Sequence, residues 1–470
     1  MKTKRLLTLA LAMLMLLAFA AACNNTPAAN SPPPAGNSPT PNNTASTDDK
    51  GEDEIVELRV LNYLDMSAPS ALEEIEVVWK AFDNAHPNIK ITREDEFNEP
   101  FHESVEAYAA AGMLPDVMLA WPSGRSTTLH TKRLLKDLAP LVARDGLANN
   151  YFPSVLDPSA QVGGYLAILP QGVTATHIFL VNSEVLDAVG LTPAKTYSEL
   201  AAQAPILRAA GYDTVLMANQ DSWVMQSCLF SMIAGRFMGE NWDQRILSGE
   251  TDFNDPDFIA SLDFIKKMYD DGVLAQSTLA LGYGDAPGQF ANNKAAYCID
   301  GDWRVADFIT DATTGEALIA PDRQDKFKIT VFPEIDGVKF NKSNSTVIAT
   351  GYGINANLED GSAKLEAAWE LVKWLVGKDV QTFKLGAGTF TNPARNDIDF
   401  SSLTLEPLQV ALANLSKEYD VSTVVIDGVF EGPIYTPMND GLQALGLGTQ
   451  TATQVAQNTQ IAFDAWKAAR

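Results

Sequence analysis

Basic residues, histidines and cysteines are all scarce in this chain of 470 residues. Lys and Arg number 34 against 59 Asp and Glu, which gives a net charge of −25. The acid is spread along the chain, and no basic cluster stands beyond the N-terminus. Such a surface repels a phosphate backbone and argues against nucleic acid as a partner. Only four histidines occur: His86, His102, His130 and His177. None pairs at metal-ligand spacing and HExxH is absent, so no metal site is expected. NDPD at 254–257 lacks the spacing of an EF-hand calcium loop. GxSxG, P-loop and GxGxxG motifs are missing from any strand–turn–helix context, so neither catalysis nor a cofactor is indicated. The three cysteines are Cys23, Cys228 and Cys298, with no CxxC spacing. Cys228 and Cys298 sit among apolar residues, which reads as two buried thiols, with a disulfide between them as the other option. Beyond the first twenty or so residues no uninterrupted apolar run approaches the ~18 needed to span a bilayer.

What is present begins with a targeting segment. Lys2, Lys4 and Arg5 form a positive n-region, and Leu6 to Ala20 is apolar. Residues 1–22 therefore read as a signal peptide rather than a spanning helix. Ala20-Ala21-Ala22 lead directly to Cys23, an arrangement that resembles the lipobox of bacterial lipoproteins, with Ala20 where a Leu is usual. The resemblance implies that Cys23 is acylated, palmitate included, becomes the mature N-terminus, and anchors the protein at the outer face of the cell membrane. Residues 24–54 are Asn, Pro, Ser, Thr and Ala followed by acid, too poor in large apolar side chains to build a core. As a flexible tether the segment would span about 30 Å root-mean-square.

The length favours two lobes over one core. IVELRVLNYL, from Ile55, alternates as a strand does. Leu72, Ile75, Val78, Trp79 and Phe82 then fall at helical spacing, stopped by Pro87. NIKIT reads as a second strand, FHESVEAYAAAG as a helix ended by Gly112, and PDVMLAW as a third strand. Strands alternating with helices predict an α/β fold with mainly parallel sheets. Ligands of such sheets bind beyond the carboxyl ends of the strands. Those loops hold Asp65 after the first strand, and Trp121 and Arg125 after the third. In FANNKAAYCIDGDW, Phe290 lies on a helix ending near Asn293, where Asn accepts the left-handed conformation. AAYCI is then a strand, and Asp302 is placed to cap a following helix with Trp303 in its first turn.

This stretch resembles the F-x-x-G-K-A-A-M-x-x-x-G-x-W element of the extracellular solute-binding proteins of sugar ABC importers, the maltose-binding-like family. Phe290, Lys294, Ala295, Ala296, Gly301 and Trp303 match; Asn293 replaces the Gly and Tyr297 the Met. LPDVMLAW, the segment from Leu166 to Leu200, TDFNDPDFIASLDFIKKMYDDGVL and GYGINANLEDGSAKLEAAWELVKWLVGKDVQ resemble further family elements in the family's order. The resemblance spans nearly all of residues 55–470. It implies a two-lobe, periplasmic-binding-protein-like clamshell with three inter-lobe crossings, near Pro170 to Ile178, Phe327 to Pro333 and Gly386 to Phe390. Lobe one is then 55–170 plus 334–385, and lobe two 171–333 plus 386–470. It also implies a monomer that captures a sugar or oligosaccharide between the lobes and delivers it to the permease subunits of an ABC importer. A reading from another class is a cell-surface glycoside hydrolase using two carboxylates.

A sugar is amphipathic, so its site combines aromatic faces with hydrogen-bonding groups. The candidates are Asp65, Trp121, Arg125, Trp223, Asp302, Trp303 and Tyr435. Trp303 reads as a stacking platform or as a core tryptophan under the crossings. Asp302 reads as a hydroxyl acceptor or a plain helix cap, and Trp121 and Arg125 as ligand contacts or solvated loop. Trp79, Trp369, Trp374 and Trp466 lie at helical spacing among apolar residues and read as core. One expectation is testable at this level. Replacing Cys23 by Ser should move the protein from the membrane to the soluble fraction or medium, whereas equal membrane retention of the variant in a fractionation assay contradicts the anchor.

Overall fold

The computed structural model describes residues 55–470 apart from 69, 312–313, 339, 388–391 and 470. The signal peptide, Cys23 and the tether lie outside the described residues. Among the described residues the strands run in chain order: β1 (Val56–Tyr63), β2 (Ile89–Glu96), β3 (Val117–Ala120), β4 (Ile168–Pro170), β5 (Gly172–Ala175), β6 (Ile178–Asn182), β7 (Asp213–Leu216), β8 (Ala295–Asp300), β9 (Phe327–Thr330), β10 (Ser343–Ile348), β11 (Gly351–Ile354), β12 (Asn392–Pro393) and β13 (Val421–Thr423). The first lobe is built on the sheet β2-β1-β3-β11-β4 and the second on β7-β8-β6-β9. A third sheet, β12-β5-β10-β13, links them.

Local sequence accounts for much of the first lobe. The helical run from Ser70 to Ala85 carries a π turn over Ile75–Lys80, and it buries Val78, Trp79 and Phe82. Glu99–Ala111 is one helix, closed by Gly112 at φ 67°, a conformation that costs glycine nothing. Trp79 and Trp369 are buried in the first-lobe core, and Trp374 packs against it. Trp466 packs half-buried against the core of the second lobe. Asn293 takes φ 60° between the helix Ala286–Ala291 and β8, as its position suggests.

Two expectations are corrected. Neither lobe sheet is mainly parallel. β1 runs parallel to β2 and β3, but β11 is antiparallel to both β3 and β4. In the second lobe β7 and β8 are parallel while β6 is antiparallel to β8 and β9. Strands entering from the linking ribbon run against those built by helical crossovers. Next, the segment Phe327 to Pro333 is not a crossing. Its strand β9 is an edge strand of the second-lobe sheet, and Glu334 beyond it exchanges backbone hydrogen bonds with Lys195 and Tyr197. The ribbon is instead β5 against β10, in antiparallel register from Ala175↔Thr346 to Val173↔Ile348. Cys228 and Cys298 are both buried free thiols, as their apolar surroundings suggest, and form no disulfide. Around the last crossing, residues 388–391 lie outside those described. Ala394 still packs in the first-lobe core, and Leu408 and Leu412 join the second lobe.

Two buried cationic or basic groups hold the ribbon. Arg236 is fully buried and donates to the carbonyls of Pro333 at 2.7 Å, Phe332 at 2.9 Å and Ser343 at 3.4 Å. Burial pulls its guanidinium down to about 9. His177 follows β5, and its Nε2 accepts the Phe332 N–H at 3.1 Å. Its Nδ1 must therefore donate to the Cys228 carbonyl at 2.6 Å, which fixes a neutral tautomer. Burial lowers His177 to about 3, and burial followed by the Arg125 charge does the same to His102.

The sign of the linkage follows. The unfolded chain takes up protons near pH 6.5 that the folded chain refuses until about 3. Stability is full above pH 6.5 and falls as the pH drops, by about 1.4 kcal/mol per pH unit for each such histidine. The melting temperature should decline from pH 7 to pH 5, with a shallower slope in His177→Gln. A flat profile from pH 7 to 5 contradicts two histidines held neutral.

Candidate functional site

The carboxyl ends of β1 and β3 form the first wall. Tyr63 ends β1, and its ring meets Trp121 edge-on at 5.2 Å. Phe101 and His102 close on the same indole, at 5.8 and 4.8 Å between centroids. The Trp121 carbonyl bonds His130 at 2.7 Å and its N–H bonds Ser126 at 3.0 Å, so the loop is fixed at both ends. Asp65 begins a tight turn in which its Oδ1 accepts the Ser67 N–H at 2.9 Å and hydroxyl at 2.6 Å. Burial pushes the Tyr63 phenol up to about 12, keeping it a neutral donor.

The second wall grows from β8. Gly301 begins a 3-10 turn over Asp302–Asp307, not an α-helix. A side chain on Gly301 would strike the indole of Trp303, which folds back across it. Trp303 is half-buried and its Nε1 donates to the Tyr283 hydroxyl. Trp223 lies 5.1 Å from Tyr283 and 6.2 Å from Trp303, completing an aromatic cluster. Beneath it, Asp300 Oδ2 accepts Arg304 Nε at 2.7 Å, and Arg304 reaches Asp307 at 2.5 Å. Burial would lower the Arg304 guanidinium, but the Asp300 charge outweighs it and holds the group fully cationic.

Asp302 is not the helix cap that its position suggests. It is fully buried, and its Oδ2 accepts the N–H of Ala175 in β5 at 2.8 Å. The hydrogen bond joins the Trp303 loop to the linking ribbon and commits that carboxylate oxygen to the backbone.

Arg125 brings the walls together. It lies on the 3-10 turn Gly124–Ser126 of the first lobe, and its Nε donates to Asp427 at 3.1 Å. Asp427 belongs to the short helix Ile426–Val429, whose Ile426 is in the second-lobe core. The guanidinium stands 6.0 Å from the Trp223 ring and 5.9 Å from Tyr435, and its Nη1 reaches Glu99 at 3.1 Å. Gly124 permits this approach, because a Cβ there would strike the carbonyls of Phe430 and Asp427. Burial works against the charge on Arg125, but Asp427, Tyr435 and Glu99 raise it above its ordinary range. A second contact between lobes runs from Asn98 Nδ2 to Asp221 Oδ1 at 3.2 Å. Asp307 is raised mainly by burial, with Asp65 of the first lobe among the charges acting on it.

Of the sequence candidates, Arg125, Trp223, Trp303 and Tyr435 fall into one linked cluster. Trp121 and Asp65 stand on the first-lobe wall, and Asp302 lies buried behind the second. Sequence reasoning missed Tyr283, Asp300, Arg304 and Asp427. Tyr283 carried a faint signal, an aromatic between two glycines in LGYGD. Asp300 and Arg304 stand four residues apart, a spacing that could have marked them as a pair, whereas Asp427 depends on Arg125, 302 residues away.

A family model described as bacterial extracellular solute-binding protein matches residues 68–382. Among solved structures, one from work on xylan utilization by the thermophilic bacterium Caldanaerobius polysaccharolyticus superposes with a TM-score of 0.76 at 20% identity, covering 86% of this chain and 99% of that one. A chitin oligosaccharide binding protein gives 0.76 at 19%, covering 87% and 98%. The maltose/maltodextrin-binding domain from Bdellovibrio bacteriovorus bound to maltotriose gives 0.65 at 18%, covering 87% and 99%. At these identities the likeness establishes the fold. No curated protein matches the chain.

Proposed function

The chain belongs to the bacterial extracellular solute-binding protein family, and on that premise we propose that it captures a sugar or oligosaccharide between its lobes and delivers it to an ABC import permease. The observation that carries the sugar reading is the half-buried indole of Trp303, set beyond the carboxyl end of β8 beside Trp223, with Tyr435 joined to Trp223 through Arg125 and with Asp300 and Asp427 among these rings. A pyranose has apolar faces and a rim of hydroxyls, and aromatic rings alternating with acids match both. The glycan-binding names of the structural neighbours support the same class. Trp303, Trp223, Tyr435 and Trp121 supply ring faces in this reading. Asp65 and Arg125 bind hydroxyls, and Asp302 positions the Trp303 loop. Cys23 anchors the protein at the outer face of the membrane, where the tether gives the lobes reach towards the permease. No helix among the described residues is long and apolar enough to cross a membrane.

Replacing Trp303 with Ala is expected to weaken sugar binding by about 2 kcal/mol, the scale of a buried aromatic anchor. That is roughly thirtyfold in dissociation constant. The melting temperature should fall less than after truncation of a core tryptophan such as Trp242, which costs about 3–5 kcal/mol. Calorimetric titration beside melting curves decides the matter. Unchanged affinity with a large loss of stability would make Trp303 a core residue.

A further inference from the structure

We propose that Tyr283 is the positioning residue of the sugar platform: its hydroxyl, itself held by Asp300, fixes the plane of the Trp303 indole. The inference rests on the reading of Trp303 as a stacking face. Trp303 Nε1 donates to the Tyr283 oxygen, and the Tyr283 hydroxyl in turn donates to Asp300 Oδ1 at 3.2 Å. The same Asp300 oxygen accepts the Gly301 N–H at 2.8 Å, so the backbone under the indole and the indole nitrogen are referred to one carboxylate. Asp300 is held in turn by Arg304.

Tyr283 is itself immobilised from several directions. Arg304 stands 4.0 Å from its ring centroid and donates to its carbonyl at 3.4 Å. Trp223 packs on the ring, and the Tyr283 N–H donates to Asp221 Oδ2 at 3.0 Å. Asp221 is also the residue that Asn98 of the first lobe reaches, so the platform is referred to both lobes. Burial raises the phenol well above its ordinary range, and the hydroxyl stays protonated.

Packing alone leaves an aromatic torsion broad and nearly two-fold; a directed N–H bond selects one ring plane. A platform presented in one plane binds without first being ordered, which saves the entropy that a mobile ring loses on stacking. The bond also spends the only polar side-chain atom of Trp303. The indole then offers its face alone, and the hydroxyls must be met by neighbouring groups.

Tyr283→Phe keeps the ring, with its Arg304 and Trp223 contacts, and deletes only the hydroxyl. The test uses uniformly nitrogen-15-labelled protein, with the Trp303 indole N–H resonance assigned by its loss in Trp303→Phe. That resonance should shift and broaden in Tyr283→Phe. Affinity for the tightest binder among maltotriose, xylotriose and chitotriose should fall about tenfold. In the Trp303→Phe background, which has a ring but no N–H, Tyr283→Phe should cost no further affinity. An unmoved indole resonance, or an equal loss of affinity in both backgrounds, overturns the positioning role. Failure of the stacking reading looks different: the resonance moves in Tyr283→Phe, yet Trp303→Ala leaves binding of all three sugars unchanged.

Discussion

The carboxylate of Asp302 accepts the N–H of Ala175, and the placement of the second wall depends on that bond. Ala175 closes β5, which lies between β12 and β10 in the linking ribbon. Three residues later the chain enters β6, where Ile178 pairs with Asp300 at the end of β8. The ribbon, the first strand of the second lobe and the loop carrying Trp303 are thus fastened within a few residues of one another. A buried carboxylate is costly unless its oxygens are met, so the loop is stable only where the ribbon supplies its donor. Any displacement of the ribbon is felt at the indole.

Charge in the cleft follows a related logic. Arg125 and Arg304 are enclosed, and each is matched by acids: Asp427 and Glu99 for the first, Asp300 and Asp307 for the second. These pairs organise the walls and balance the cations, so Arg125 meets a ligand as a hydrogen-bond donor and not as an uncompensated positive charge. Arg236, deeper in the molecule, is met by backbone carbonyls. The cleft is therefore aromatic and acidic, which suits a neutral polyhydroxylated solute better than an anion.

Much of this was legible in the sequence because it is local. The helix stop at Gly112, the left-handed Asn293 and the strand before Trp303 follow from residues within a turn of one another. The features that were not legible are long-range. Strand direction is absent from an alternating pattern, so the mixed sheets were read as parallel. The β5–β10 pairing joins residues about 170 apart, and no periodicity announces it. Phe327 to Thr330 shows the buried–exposed alternation of an edge strand, although the family resemblance implies a crossing there. Asp302 had a local role open to it as a cap, but a backbone donor 127 residues away claimed it. Trp303, Trp223, Tyr435 and Arg125 were each nameable one by one; their convergence, with Tyr283 beneath, is a product of folding.

The most direct measurement is a crystal structure of residues 55–470 with the oligosaccharide that binds tightest in solution. The account predicts a pyranose ring with its apolar face on the Trp303 indole, enclosed by loops from β1 and β3 on one side and from β8 on the other. A sugar bound to one lobe alone, or away from Trp303, would contradict it.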